Sequence, residues 1–274
     1  MLAFAANSLL CRMALQRTGI DPASFTTVRL AAGATVLALL VGWRQRAPKS
    51  AGSWVSALAL FGYAAAFSFA YMSLPTGTGA LLLFGTVQVT MIGRGLWRGE
   101  RLGLQQQLGL LVALTGLVVL VWPGVAAPPL AGAMLMIGAG IAGGVYSRRG
   151  AGSADPLRAT ASNFLRAVPL ALALSVLMRQ HATFDAVGLA CAVASGALAS
   201  GLGYAVWDHV LRLLRSTSAA TVQLSVPVIA ALGGVVWLGE PLSARLVLAS
   251  VAVLGGVAAV MHVRTPRRPA TQTP

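Results

Sequence analysis

Two arginines sit where an arginine is expensive. Arg29 lies about two turns into one apolar run, and Arg166 lies deeper in another. A charged group in hydrocarbon marks a functional hypothesis by default. A guanidinium facing a cavity can clamp a carboxylate or a phosphate with paired hydrogen bonds, which implies an anionic or zwitterionic ligand. The competing reading is that each bonds free carbonyls or a loop acid. The runs that follow, Leu30-Ala31-Ala32 and Ala167-Val168-Pro169, suggest that the two are counterparts in a repeat.

Asn7, Gln88, Asn163 and Gln223 are uncharged polar residues within apolar runs. They can bond a ligand's amine or carboxylate, or hold helices together at about 1 kcal/mol each. Gln88 and Gln223 fall near repeat-related positions. Tyr63 is mid-run and suits the wall of a site, whereas Tyr71, Tyr146 and Trp207 lie nearer run ends, where an interfacial aromatic belt also explains them. Asp208 and His209 are an adjacent acid and imidazole, the pair best suited to carry a proton. A solvated helix end before Arg212 and Arg215 accounts for them equally well. Pro227 frees a backbone carbonyl and marks a hinge or a static kink. Glu100 and Glu240 stand just before apolar runs, where a carboxylate caps the next helix.

Covalent and metal chemistry find no constellation. Cys11 and Cys191 are each embedded in apolar sequence, and the spacing of two such thiols gives no disulfide framework or metal site. His181, His209 and His262 lie near run ends, with no His-Glu-x-x-His and no paired intramembrane aspartates. No glycine run opens a helix after a strand, so phosphate-loop readings fail. No metal and no cofactor are expected.

The elements that position these residues follow from composition. The 274 residues are 57% hydrophobic and 9% charged, with mean hydropathy +0.79. A soluble domain needs roughly a quarter of its residues charged, so most of this surface must face lipid. The net charge of +14 comes almost wholly from arginine, scattered singly or in twos and threes between apolar runs. That is the positive-inside pattern rather than a nucleic-acid footprint. No cleavable signal peptide is expected, because no charged region precedes the first apolar run.

A spanning helix needs ~20 apolar residues. Ten segments qualify, at 1–16, 22–43, 54–73, 77–97, 103–122, 130–147, 157–178, 186–207, 217–238 and 243–262. Turn chemistry separates them: Asp21-Pro22, Pro48, Pro75, Pro123-Gly124, Pro128-Pro129, Asp155-Pro156 and Glu240-Pro241. The first segment is short and carries Asn7 and Arg12, so it is either a poor span or, the favoured expectation, one whose true start lies upstream of Met1. The tail 264–274, rich in Pro, Thr and Arg, is expected to be disordered and cytoplasmic. Arg44, Arg46, Lys49, Arg98, Arg101, Arg148, Arg149, Arg158, Arg212 and Arg215 fall on one side, and only Arg17, Arg179 and Arg245 on the other. The rule then puts both termini in the cytoplasm.

A signature is written twice. Trp97, Gly99, Glu100 and Leu102 recur 140 positions later as Trp237, Gly239, Glu240 and Leu242; Gly93, Leu114 and Gly116 recur as Gly233, Leu254 and Gly256. The chain therefore reads as a duplication, 1–124 and 129–263, of five spans each. An odd number of spans inverts the second copy relative to the first. The fold expected is an all-α integral membrane protein of ten transmembrane helices in two inverted five-helix repeats, with a site at their interface near the midplane.

These motifs resemble the EamA domain family of the drug/metabolite transporter superfamily. The resemblance rests on Asp21-Pro22-Ala23-Ser24-Phe25 leading to Arg29, on Trp97-Arg98-Gly99-Glu100-Arg101-Leu102, on Gln223-Leu224-Ser225-Val226-Pro227-Val228, on Trp237-Leu238-Gly239-Glu240-Pro241-Leu242 and on Gly255-Gly256. It covers all but the tail. It implies secondary active transport, often efflux of amino acids or other small metabolites, across the bacterial inner membrane. The chain departs from the pattern in its short first span and in Asp208-His209. The expected partners are a small-molecule cargo, the lipid bilayer and protons, with no nucleic acid, in a monomer or a homodimer. A membrane-embedded enzyme would need a nucleophile with its base or a metal cluster. That reading and a passive channel or a non-transporting scaffold are the alternatives.

Overall fold

The computed structural model describes residues 1–42, 52–97, 99, 102–124, 127–150, 153–211 and 222–262. Among them every regular element is helical. Seven helices come first: α1 (Leu2–Arg17), α2 (Pro22–Gly42), α3 (Trp54–Tyr71), α4 (Thr76–Trp97), α5 (Leu104–Val121), α6 (Leu130–Gly150) and α7 (Pro156–Leu177). Next, α8 (Ala186–Ala194) runs without a break through a π-helical segment (Ser195–Leu202) into α9 (Gly203–Leu211). The last two are α10 (Ser225–Leu238) and α11 (Ala244–His262).

Eight of these units are long and apolar enough to cross a bilayer, counting Ala186–Val210 as one. This is a multi-pass membrane protein. Two elements fall short by length or composition: α1 has 16 residues and α10 has 14. The lead-in to α10, 212–221, lies outside the described residues, as do Glu100, the basic positions 44, 46, 49, 98, 101, 212 and 215, and the tail.

The scarce acids start helices. Asp21 accepts from the N–H groups of Ala23 and Ser24 ahead of Pro22; Asp155 accepts from Arg158 N ahead of Pro156; Asp185 accepts from Gly188 N. Each satisfies donors that the first turn leaves open, and proline fits there because its missing N–H would have been one of them. Helix α10 ends on Gly239 at φ +68°, with Gly239 N–H bonded to Val235 O and Glu240 N–H to Gly234 O. This left-handed closure favours glycine. Gly99, its counterpart 140 positions earlier, also has positive φ, +89°.

The two halves of the sequence interleave. Helix α3 packs along α6 and α7, α2 along α7 and the π segment, α4 along α6 and α10, and α5 along α11. Small residues permit this. On α6, Gly140 and Gly144 seat Thr86 and Thr90 of α4. Gly256 of α11 meets the backbone of Gly109 and Ala113 in α5. In lipid, such close contact replaces the hydrophobic drive that is missing between apolar helices. Outward faces carry Leu111, Val118, Leu172, Val176 and Val251, all exposed.

Candidate functional site

Helix α2 buries Phe25, Arg29, Leu30, Gly33, Ala34 and Leu37, a stripe at helical spacing. Arg29 stands on that stripe and is 2% exposed. Opposite it, α3 presents Tyr63, Phe67 and Tyr71 one turn apart. Their rings step edge to face, 5.6 Å between Tyr63 and Phe67 and 4.7 Å between Phe67 and Tyr71. The Arg29 guanidinium carbon lies 4.7 Å from the Phe67 ring centre and 5.5 Å from that of Tyr63. Its Nη2 donates a long bond, 3.3 Å, to the Tyr63 hydroxyl. Nε and Nη1 are buried with no partner among the described residues, and no carboxylate there forms an ion pair with it.

A second aromatic group closes on the same region. Tyr204 of α9 packs against Phe4 (5.5 Å), Phe164 (5.9 Å) and Tyr146 (6.3 Å), and Trp207 against Phe4 at 6.2 Å. Tyr204 is within electrostatic reach of Arg29, Tyr63, Tyr146 and Asp208. Rings from α3 thus contact the charge on α2, and Tyr204 links it to a further aromatic cluster from α1, α6 and α7. The π segment packs on the backbone that carries Arg29: a β-carbon on Gly196 would run into the Arg29 carbonyl. Extended π turns are rare and concentrate at functional sites.

Ring faces stabilise a cation, by about 2 kcal/mol or more when desolvated. They do not satisfy its N–H groups. A buried donor without an acceptor carries a desolvation cost, and an anion with lone pairs to offer would remove it. The site has a positive charge, aromatic walls and two open donors. It holds no nucleophile paired with a base among the described residues, and no group of three His, Cys, Asp or Glu there is placed to hold a metal.

The EamA-like transporter family model matches residues 1–122 and again 130–261. The chain belongs to that family. It is 56% identical over 268 residues, 97% of this chain and 93% of the other, to an uncharacterized protein of Pseudomonas aeruginosa. It is 24% identical to an uncharacterized transporter of Archaeoglobus fulgidus, over 89% of this chain and 90% of that one. A solved crystal structure of a protein 20% identical superposes with a TM-score of 0.65, covering 95% of this chain and 97% of the other, which shows the shared fold.

Of the sequence candidates, Arg29, Tyr63 and, through Tyr204 and Phe4, Trp207 come together. Arg166 does not join them. Its guanidinium lies 6.0 Å from the Trp54 ring and against Gly52 and Asn163, with Nη1 unpartnered. Trp54 begins α3 and Phe67 is thirteen residues on, so the two arginines mark levels about 20 Å apart along that helix. Sequence correspondence between Arg29 and Arg166 does not put them in one site.

The amides serve as structural links. Asn7 Oδ1 accepts from Ser195 Oγ at 2.6 Å, tying α1 to the π segment. Asn163 Oδ1 accepts from Ser53 N at 3.0 Å, holding the start of α3. Gln88 Nε2 donates to Gln223 Oε1 at 3.4 Å, a weak link between α4 and the helical pair Val222-Gln223 just before α10. Asp208 accepts from Thr160 Oγ1 at 3.3 Å, and His209 is exposed. Pro227 sits in the first turn of α10, just after a turn at Leu224. Val222 and Gln223 before that turn are also helical, so Pro227, which has no N–H for the Gln223 carbonyl, stands at a break in the helical run and fits the kink that the sequence offered.

Glu240 caps a different helix from the one expected. Oε2 accepts from Thr76 N, the start of α4, at 2.7 Å, while Oε1 accepts from Arg12 Nε at 3.1 Å. Arg12 Nη1 also donates to Tyr71 O and Met72 O. Ser243 takes over the cap of α11. The Gly239 turn is the reason: it closes α10 tightly and leaves Glu240 across from α4. Sequence reading treated Arg12 only as a flaw in a short span. Its signal was available, since Arg12 and Glu240 are opposite charges at ends of spans that the topology puts on one side.

Proposed function

We propose that this member of the family is a secondary active transporter of a small metabolite bearing a carboxylate or similar anion, amino acids among the candidates. It exports its cargo across the bacterial inner membrane by alternating access, with both termini cytoplasmic and ten spans in two inverted repeats. Cargo binds Arg29 between the aromatic walls. Asp208, with His209 beside it, carries the coupling proton. The observation that carries the reading is the Arg29 guanidinium, 2% exposed, with two buried nitrogens lacking an acceptor. Membership of a transporter family supports the class.

The test is counterflow into proteoliposomes loaded with amino acids and small carboxylates, with and without a pH gradient. Saturable counterflow of an anionic or zwitterionic compound is expected. Arg29→Gln should reduce it on the order of 100-fold, the scale of losing a charge-assisted bond to a desolvated group. Asp208→Asn should remove only the pH dependence. Silence across the panel, or an Arg29→Gln variant as active as the parent, would sink the proposal.

A further inference from the structure

A second basic site lies away from Arg29, at the end of the bundle where α3 and α7 begin and α4 and α6 finish. There a cavity of about 600 Å³ is lined by Arg94, Arg148 and Arg149 together with Ser53, Ser56 and Asn163. No carboxylate is among its lining residues. Arg149 is partly occupied, donating to Ser56 Oγ at 3.1 Å and Ser53 Oγ at 3.3 Å. Arg94 and Arg148 make no hydrogen bond or ion pair with any described residue. Asn163 is 5% exposed, and its carbonyl oxygen is committed to Ser53 N. The start of α3 also adds the positive end of its dipole.

Three guanidinium groups around a cavity of this size repel one another unless an anion joins them. The surrounding surface says which kind. Val55 lines the cavity and is itself 54% exposed, flanked by Trp54 at 57%; Leu96 and Trp97, just beyond Arg94, are exposed as well. The cavity is therefore basic within and apolar at its margin, on a surface that faces lipid. A soluble anion would use only the arginines. A molecule with an anionic head and hydrocarbon tails uses both, and basic pockets between helix ends are where such headgroups bind. We infer that this cavity holds the phosphate headgroup of an anionic phospholipid, with the acyl chains lying over Val55, Trp54 and Leu96. The lipid neutralises the cluster and links the ends of α3, α4 and α6. This inference is independent of the transport reading, because it concerns different residues and needs no cargo.

The experiment is native mass spectrometry of the full chain in neutral detergent, titrated with phosphatidylglycerol or with phosphatidylcholine of the same acyl chains. One phosphatidylglycerol should be retained on the order of ten-fold more strongly than phosphatidylcholine. Arg94→Gln/Arg148→Gln should abolish that preference, and neither side chain makes a bond whose loss would unfold the protein. Arg179→Gln at the opposite end should leave it unchanged. Inorganic phosphate at millimolar concentration should not displace the lipid, because it lacks the tails. The inference is overturned by equal retention of the two lipids, by a preference that survives the double substitution, or by displacement by phosphate alone.

Discussion

The two ends of the bundle are built in opposite ways. At the Glu240 end, cations are spent on closing the structure. Arg12 pairs with Glu240 and bonds the carbonyls that end α3; Arg17 bonds the carbonyls of Trp237 and Leu238; Arg245 bonds that of Trp122. At the Gly52 end, arginines line an open cavity, and two of the three bond nothing among the described residues. The same side chain locks one end and leaves the other available. The difference lies in what each arginine can reach. Carbonyls and one well-placed carboxylate take up the cations at the first end, whereas no carboxylate lines the cavity at the second, where Arg149 finds only the Ser53 and Ser56 hydroxyls.

The clasp offers the largest effect. Arg12→Met leaves the part-buried Glu240 without its cation; breaking a fully buried pair costs about 3–5 kcal/mol, and this one should approach the lower end. Thermal unfolding in detergent should show a large drop in Tm, and a cysteine placed at Ser73 should react faster with an impermeant maleimide. Arg12→Met combined with Glu240→Gln should recover much of the loss. If the single variant is as stable as the parent, the contrast between the ends loses its physical basis.

Packing beside the site comes next. Gly196→Ala forces the π segment off α2, an overpacking cost of about 1–3 kcal/mol, and should displace Arg29 as well. Gly138→Ala, which meets nothing within 4 Å, should be silent in the same assay.

A smaller effect concerns Asp21, beside the closed end. Burial by itself would raise its carboxyl, but hydrogen bonds from Ser24, Thr183 and Ala23 outweigh that and hold it below the ordinary carboxylate value. A lowered folded value means that stability is present while the group is ionised and lost as pH falls through that value. Asp21→Ala should lower stability by about 1 kcal/mol at neutral pH, discounted for partial exposure. The gap to the parent should hold down to about pH 5 and close below about pH 4. A gap that widens on acidification would contradict the assignment. At the open end, Arg94→Gln/Arg148→Gln should leave Tm in lipid-free neutral detergent unchanged, the smallest effect of the four.

Much of the scaffold was legible before any coordinates. Apolar runs and Pro-Asp punctuation place α2 to α9 and α11 within a few residues, since the bilayer allows backbone polar groups only one local solution, the helix. Arg29 and Tyr63 were legible as candidates because charge and a mid-span hydroxyl are conspicuous against alanine and leucine, and the structure brings the two together. Phe67, Phe164 and Tyr204 were not, since an aromatic in a span looks the same whether it faces lipid or a guanidinium. Arg166 was equally legible, but the structure puts it beside Trp54 and apart from Arg29, because register within a repeat says nothing about depth along a neighbouring helix.

The sequence by itself determined the solvent, the secondary structure and the family, all of which depend on local composition and on motifs close together in the chain. The tertiary structure alone decided that Glu240 belongs to Arg12 and Thr76, that Asn7 and Asn163 are links, and that Arg29 pairs with no carboxylate among the described residues. Those facts are pairings across up to 228 residues of chain. In a bundle of close-packed helices, such pairings are set by which small residues let which backbones touch.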